Sequence, residues 1–269
     1  MDEKVKGMLV IIGGAEDKEG NCTILNKLAG LTKDKGESMV ILTAASQNPT
    51  ETGNKYLDIF SKLGVEKTNI VNIQSRDDAN NLLYSDILKN ASCIFFTGGD
   101  QLRITSLIGG TNIQYTLQNA YEDGVIIAGT SAGASVMSET MITDGNNDAA
   151  PKKCTLKMAP GLGLLKDVVL DQHFAQRGRI GRLLTAIAQN PHVLGIGIDE
   201  DTAIIVMPDA TFEVIGSNAV TIIDGSNCEF TNVSELKPDE ILAFTNIKMH
   251  VLPKDYKFDI KTRKPMIGR

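Results

Sequence analysis

Little in this chain could hold a metal ion, cross a membrane or grip a nucleic acid. Only three histidines, His173, His192 and His250, occur in 269 residues. They are scattered and could not readily build a metal site. The four cysteines (Cys22, Cys93, Cys154, Cys228) lack C-x-x-C spacing, which argues against zinc and disulfide frameworks. Cys22 and Cys93 fall in or beside apolar segments, where a reduced thiol behaves as a small hydrophobe. No apolar stretch approaches membrane-spanning length. The charged N-terminus Met1–Lys6 leads into an apolar run, Met8 to Ile12, that Gly13-Gly14 ends too early for a secretion signal. Cationic residues are in deficit: the net charge is -6 and the pI near 5.2, unsuited to nucleic acid or an anionic membrane surface. Neither G-x-G-x-x-G nor G-K-[ST] is present, so a phosphate loop finds little support. These absences leave a soluble protein in a reducing, cytoplasmic setting, with no cofactor implied and a chain long enough to bury a sizeable core.

What is present begins with an alternation. Short apolar strands (Met8–Ile12, Met39–Thr43, Ile70–Ile73, Cys93–Phe96, Val125–Ala128) alternate with amphipathic helices. The helices are Thr23–Leu31, around Tyr56–Leu63, Asn81–Lys89 and across Gln101–Tyr121. Continuous apolar strands between amphipathic helices imply a mostly parallel sheet covered on both faces, a three-layer α/β/α sandwich. Ligands then bind outside the carboxyl ends of the strands. Several strands end in small or glycine-rich turns, Gly13-Gly14, Ala44-Ala45-Ser46, Thr97-Gly98-Gly99 and Gly129-Thr130-Ser131, so these should share one rim. The second half is richer in strands: Val168–Leu170, Leu194–Ile198, Ala203–Val206, Phe212–Ile215 and Ala219–Ile223, with one helix, Gly178–Gln189. The polar stretch Asp144–Lys153 reads as a surface loop. The expectation is one α/β domain over residues 1–269 with a β-rich C-terminal extension.

Within that frame, Gly129-Thr130-Ser131-Ala132-Gly133 has the nucleophile-elbow pattern G-x-S-x-G after a buried strand. A helix from Ala132 to about Thr140 would aim its free N–H groups at a developing oxyanion. A serine that merely caps a helix is the plainer alternative. As a nucleophile, serine needs a general base. His192 sits in a turn and His250 near a C-terminal strand without polar company. His173 ends a strand in Asp171-Gln172-His173-Phe174 and is the candidate base. Asp199-Glu200-Asp201 closes another strand and can supply the orienting carboxylate. Residue type and spacing do not choose among the three acids. The order serine, histidine, acid differs from that of α/β-hydrolases, which disfavours an esterase. The glycines of Thr97-Gly98-Gly99-Asp100-Gln101 allow backbone N–H groups to approach a ligand. Arg177, Arg179 and Arg182 lie near His173. Arg179 and Arg182 fall off the apolar stripe of their helix, which suits either a solvated face or carboxylate recognition.

Five segments together resemble cyanophycinases. They are Gly13-Gly14-Ala15-Glu16-Asp17-Lys18, Phe96-Thr97-Gly98-Gly99-Asp100-Gln101, Gly129-Thr130-Ser131-Ala132-Gly133-Ala134-Ser135, Asp171-Gln172-His173-Phe174-Ala175-Gln176-Arg177-Gly178-Arg179 and Gly197-Ile198-Asp199-Glu200-Asp201-Thr202-Ala203. Ser-Ala-Gly alone also fits the related aspartyl dipeptidase (dipeptidase E) branch; the segment around His173 is more specific and favours cyanophycinase. The resemblance implies a serine-type exopeptidase on a glutamine-amidotransferase-like fold. The implied substrate is cyanophycin, a polyaspartate with arginine on each β-carboxyl, and the product β-Asp-Arg dipeptide. It further implies Ser131 as nucleophile, His173 as base and Glu200 as acid, with an oxyanion hole from Ala132, Gly98 and Gly99. Gln101, Asp171, Gln172, Arg177, Arg179 and Arg182 become substrate-pocket residues, with the arginines expected to hold carboxylates and Asp171 and Gln101 the guanidinium. The implied assembly is a homodimer. An Asp- or isoaspartyl-directed dipeptidase, or an inactive granule-binding homologue, are the competing readings. A glutamine amidotransferase would need cysteine at the elbow. The loop Thr143–Lys153 and the tail after about residue 207 carry no specific match.

Overall fold

Four consecutive apolar residues, Leu9 to Ile12, can be buried together only if both faces of their strand are covered. In the computed structural model, which describes residues 5–145, 147 and 150–267, that strand is the centre of the molecule. The first half alternates β1 (Leu9–Ile12), α1 (Thr23–Asp34), β2 (Ser38–Leu42), α2 (Pro49–Lys62), β3 (Lys67–Val71), α3 (Arg76–Ala79), α4 (Leu82–Lys89), β4 (Cys93–Phe96), α5 (Gln101–Ile108), α6 (Asn112–Asp123) and β5 (Ile126–Thr130). The second half continues with α7 (Ala132–Ser135), β6 (Thr140–Gly145), β7 (Leu156–Pro160), β8 (Val168–Gln172), a 3₁₀ turn at Ala175–Arg177 and α8 (Ile180–Gln189). It closes with β9 (Leu194–Ile198), β10 (Thr202–Val206), β11 (Thr211–Gly216), β12 (Ala219–Asp224), β13 (Lys248–Pro253), β14 (Lys257–Asp259) and β15 (Lys264–Met266).

Nine strands form the main sheet in the order β15-β14-β11-β10-β1-β5-β4-β2-β3. From β1 to β3 the pairing is parallel, as the alternation implies. From β1 outward through β10, β11, β14 and β15 it is antiparallel. Side chains alternate along β1. Val10 and Ile12 join Met39, Ile41 and Phe95 against α1 (Ile24, Leu25, Leu28) and α2 (Tyr56, Phe60). The Phe60 and Phe95 rings meet edge-on, 5.4 Å apart. Leu9 and Ile11 face the other way, with Val40, Leu42 and Phe96, against Ile104, Ile108, Ile113 and Leu117 of α5 and α6.

The β-rich extension divides between two sheets. β10 and β11 continue the main sheet, whereas β8, β9, β12 and β13 form a second sheet stacked on the same face as α5 and α6. The sequence of β9, Leu-Gly-Ile-Gly-Ile, makes this possible. Leu194, Ile196 and Ile198 point into the main core. Gly195 and Gly197 leave the opposite face flat, so that Ile187 and Leu183 of α8 and the ring of Phe174 press directly on backbone.

Several boundaries depart from the sequence reading: β3 is Lys67–Val71 instead of Ile70–Ile73, and α2 begins at Pro49, well before Tyr56. The helical pattern across Gln101–Tyr121 is two helices, parted at Gly109, Gly110 and Thr111. The helix after the elbow ends at Ser135 instead of near Thr140, because Thr140 already belongs to the β6–β7 hairpin. Asp144 and Gly145, expected in a loop, pair with Lys157 and Leu156 in that hairpin. Asn146, Asp148 and Ala149 of the same stretch, and Met1 to Lys4, lie outside the described residues. Among the described residues no helix is long and apolar enough to cross a membrane.

Candidate active site

The carboxyl ends of β1, β5, β8 and β9 converge on Gly13 and Gly14. Ser131 donates its N–H to the Ile12 carbonyl (3.0 Å), and His173 donates to the Gly13 carbonyl (2.8 Å). Asp201 donates to the Gly14 carbonyl (2.9 Å), and Gly13 itself donates to Thr202 (2.9 Å). Three segments far apart in sequence are thus fastened to one tripeptide, Ile12-Gly13-Gly14. Gly14 has φ +97°, and a Cβ there would collide with the His173 imidazole. Glycine is what lets the ring sit over this strand end.

Ser131 occupies a sharp turn with φ +53° and ψ −110°. That backbone costs a non-glycine residue about 1–3 kcal/mol and persists only where its surroundings enforce it. A Cβ on Gly129 would come within 2.5 Å of the Gly133 carbonyl oxygen, so the strand can pass the helix this closely only without a side chain. Ser131 Oγ lies 2.9 Å from His173 Nε2, and His173 Nδ1 lies 2.6 Å from Glu200 Oε1. A carboxylate only accepts, so a neutral imidazole here carries its proton on Nδ1 and turns the Nε2 lone pair to the serine hydroxyl. Burial holds the His173 pKa below its ordinary value of 6.5, against the Glu200 hydrogen bond and charge, with the positive charges of Arg177 and Arg179 adding to the depression.

The three consecutive acids have three different tasks. Glu200 faces the imidazole, and its own N–H is held by the Gln176 side chain at 2.9 Å. Asp199 accepts from the Ala175 and Ala219 N–H groups. Asp201, at φ +47°, accepts from the Asp17 N–H and the Ser217 hydroxyl. The two other histidines stand elsewhere. His192 is exposed near Asp167, and His250 sits on β13 opposite Ile222. Ala132 opens α7, and Gly98 is close enough that a Cβ on it would lie 3.6 Å from Ser131 Cβ. Gly99 turns at φ +146° against Ala45.

The arginines depart from a solvated face. Arg179 and Arg182 are both buried. Arg182 grips Asp171 with two bonds, Nε to Oδ2 at 2.7 Å and Nη2 to Oδ1. Arg179 Nη1 donates to the Gln172 carbonyl, to Gln172 Oε1 (3.0 Å) and, more distantly, to Asp171 (3.5 Å). Both carboxylate oxygens of Asp171 are therefore engaged inside the protein, and the expected use of Asp171 to hold a substrate guanidinium does not fit this arrangement. Burial lowers the Arg179 pKa to about 10 against the pull of Asp171, while Arg182 and Arg177 push it the same way as burial; its Nε has no hydrogen-bond partner among the described residues. Arg177 is exposed. Gln101 turns its amide to the Ile142 and Thr143 carbonyls (3.1 and 3.3 Å), tying α5 to β6.

Glu16 was not singled out by residue type, yet its carboxylate is buried beneath the elbow. It accepts from the Tyr56 hydroxyl (2.5 Å) and Thr130 Oγ1 (2.6 Å), and pairs with Lys18 (2.9 Å). Burial pushes this carboxyl up, but the Lys18 charge and the hydrogen bonds outweigh it and hold the pKa below 4.5. The available signal was its place two residues beyond a strand-ending Gly-Gly, on the rim.

A serine on a strained elbow, an imidazole and a carboxylate in one line can perform acyl transfer. The chain belongs to peptidase family S51, whose model matches residues 9–215. Its curated relatives carry a more particular name. The cyanophycinase of Geminocystis herdmanii is 36% identical over 269 residues, all of this chain and 99% of that relative. The cyanophycinase of Synechococcus elongatus is 36% identical over 260 residues, 96% of this chain and 81% of that relative. In fold, the chain is similar to the crystal structure of a peptidase from an acI-B1 actinobacterium, with a TM-score of 0.64 at 20% identity, covering 92% of this chain and 98% of that one.

Proposed function

We propose that this protein is a serine-type exopeptidase that hydrolyses cyanophycin to β-Asp-Arg dipeptides. The observation that carries the reading is the unbroken Ser131–His173–Glu200 line, 2.9 and 2.6 Å, in a chain related end to end to cyanophycinases. Ser131 Oγ attacks the scissile carbonyl while His173 Nε2 takes its proton; the imidazolium so formed is stabilised by Glu200. The oxyanion is received by the N–H of Ala132 and the Gly98-Gly99 turn. His173 then protonates the leaving amine as the C–N bond breaks. Water, deprotonated by the same imidazole, cleaves the acyl ester and frees Ser131.

The substrate residues fall into two groups on this reading. Arg177, Arg179 and Gln172 offer donors and acceptors to the polymer. Asp171, Arg182 and Gln101 hold the wall from which they project. The assembly and compartment that accompany this reading are a homodimer and the cytoplasm.

Incubation with insoluble cyanophycin, followed by mass analysis of the soluble products, tests the proposal. Dipeptide of β-Asp-Arg is the expected product. Random oligomers, or turnover of short Asp-X peptides with the polymer left intact, would overturn it. The pH profile follows from the imidazole. The base works only when neutral, and its folded pKa is depressed, so kcat/KM should stay level on acidification until below pH 6.5 and then fall. An acidic limb centred above pH 7 would contradict this.

A further inference from the structure

Two adjoining cavities, of about 580 and 660 Å³, share Gln47 and Asp100 and open beside the elbow. Gly98 lines the nearer one, and a Cβ on Gly98 would stand 3.6 Å from Ser131 Cβ. The cleft thus begins beside the elbow, at Gly98, and continues along α5. Arg103 lines the wall of the second cavity. Among the described residues its buried Nε has no hydrogen-bond partner and no acid pairs with its guanidinium. The two Nη groups of such a guanidinium can give a carboxylate two parallel N–H bonds. Asp100 stands at the junction, its Oδ1 accepting from the Leu102 and Arg103 N–H groups. Glu51 on α2 adds a second carboxylate to the nearer cavity, which Lys55 and Lys18, the latter paired with Glu16 at 2.9 Å, also line. The cleft therefore presents a guanidinium without a counter-ion among the described residues in one cavity and groups of both charges in the other, an arrangement suited to a ligand carrying both charges. An arginine joined through its α-amino group to an aspartyl β-carboxyl is such a ligand, because it keeps its own carboxylate and its guanidinium.

We infer that this cleft is a second substrate subsite, which takes the arginyl branch of the polymer unit adjoining the one released, with Arg103 binding that branch's α-carboxylate and Asp100 and Glu51 facing its guanidinium. The inference rests on the cyanophycin reading above. None of these residues touches the Ser131–His173–Glu200 line, so their contribution falls on binding rather than on the chemical step.

The experiment compares wild type, Arg103→Gln and Arg103→Lys on two synthetic three-unit oligomers. One is native; the other carries agmatine, which lacks the carboxylate, on the unit adjoining the released dipeptide. On the native oligomer, Arg103→Gln should raise KM about tenfold with kcat within about twofold, and Arg103→Lys should recover part of the loss. On the agmatine oligomer the wild-type KM should already be raised, and Arg103→Gln should add nothing, as expected when one contact is removed from either side. An unchanged KM in Arg103→Gln, or the same loss on both oligomers, overturns the subsite. Should Arg103→Gln fail to fold, the wild type decides alone: equal KM for the two oligomers overturns it. A wild type that leaves native oligomer and polymer uncut overturns the proposed function itself, a result distinct from cleavage that is indifferent to Arg103.

Discussion

Ser131→Ala is expected to lower kcat on cyanophycin by about four to six orders of magnitude, with the melting temperature close to wild type. The hydroxyl carries one heavy atom, and its only side-chain partner among the described residues is the imidazole 2.9 Å away, so its loss removes the proposed nucleophile and little packing. His173→Ala should cost a similar factor, and the double variant scarcely more, because the two act as a unit and their losses do not add. Steady-state rates, with circular dichroism to verify the fold, check this. His192→Ala and His250→Ala serve as controls. His192 is exposed beside Asp167, and His250 packs by Phe258 with ring centroids 5.7 Å apart. If either control abolished activity while His173→Ala retained it, the proposed base would be wrong.

The second large effect concerns stability. Asp171→Ala should destabilise the fold by about 3–5 kcal/mol, since it strands a buried guanidinium without its counter-charge. Arg182 is 6% exposed and directs both its Nε and Nη2 at this carboxylate, and Arg179, also 6% exposed, borders it. For a chain of this size each kcal/mol corresponds to about 2–4 °C in Tm. A thermal melt showing a loss of no more than a degree or two would contradict the role assigned to the pair. Asp171 lies two residues before His173 on the same strand end, so activity should decline as well. Its decline should track the displaced imidazole, appearing in kcat more than in KM.

These expectations draw unequally on what a reading of residues could supply. The parallel half of the main sheet is legible because its strands are short, wholly apolar and separated by amphipathic helices, a local pattern. The elbow is legible for the same reason. Gly129, Ser131 and Gly133 are neighbours, and the steric demand that brings them together acts over a single turn. The arginines were not legible. Arg182 lies off the apolar stripe of α8 and looks solvated until β8 brings Asp171 against it, a pairing of 11 residues' separation between different elements. Glu16 is similar: Thr130, its partner, is 114 residues away. Periodicity reports which side of an element is apolar, and it carries no information about which polar groups will neutralise one another across elements.

The sequence by itself therefore determined the catalytic vocabulary: one serine at a strained turn, one histidine in polar company, a short run of acids and the strand ends that would carry them. Residue type and spacing left the three acids open and the resemblance pointed to Glu200; the tertiary structure supplies the reason that Glu200, and neither neighbour, meets the imidazole. Successive residues at a turn point in different directions, and the direction of each is fixed by what its neighbours bind. Asp199 is held by the N–H groups of Ala175 and Ala219, and Asp201 by Asp17 and Ser217, which leaves Glu200 turned to His173. It likewise decided that the last strands split into two sheets, because β9 can offer an apolar face to the main core and a glycine face to α8 only when both layers are already in place.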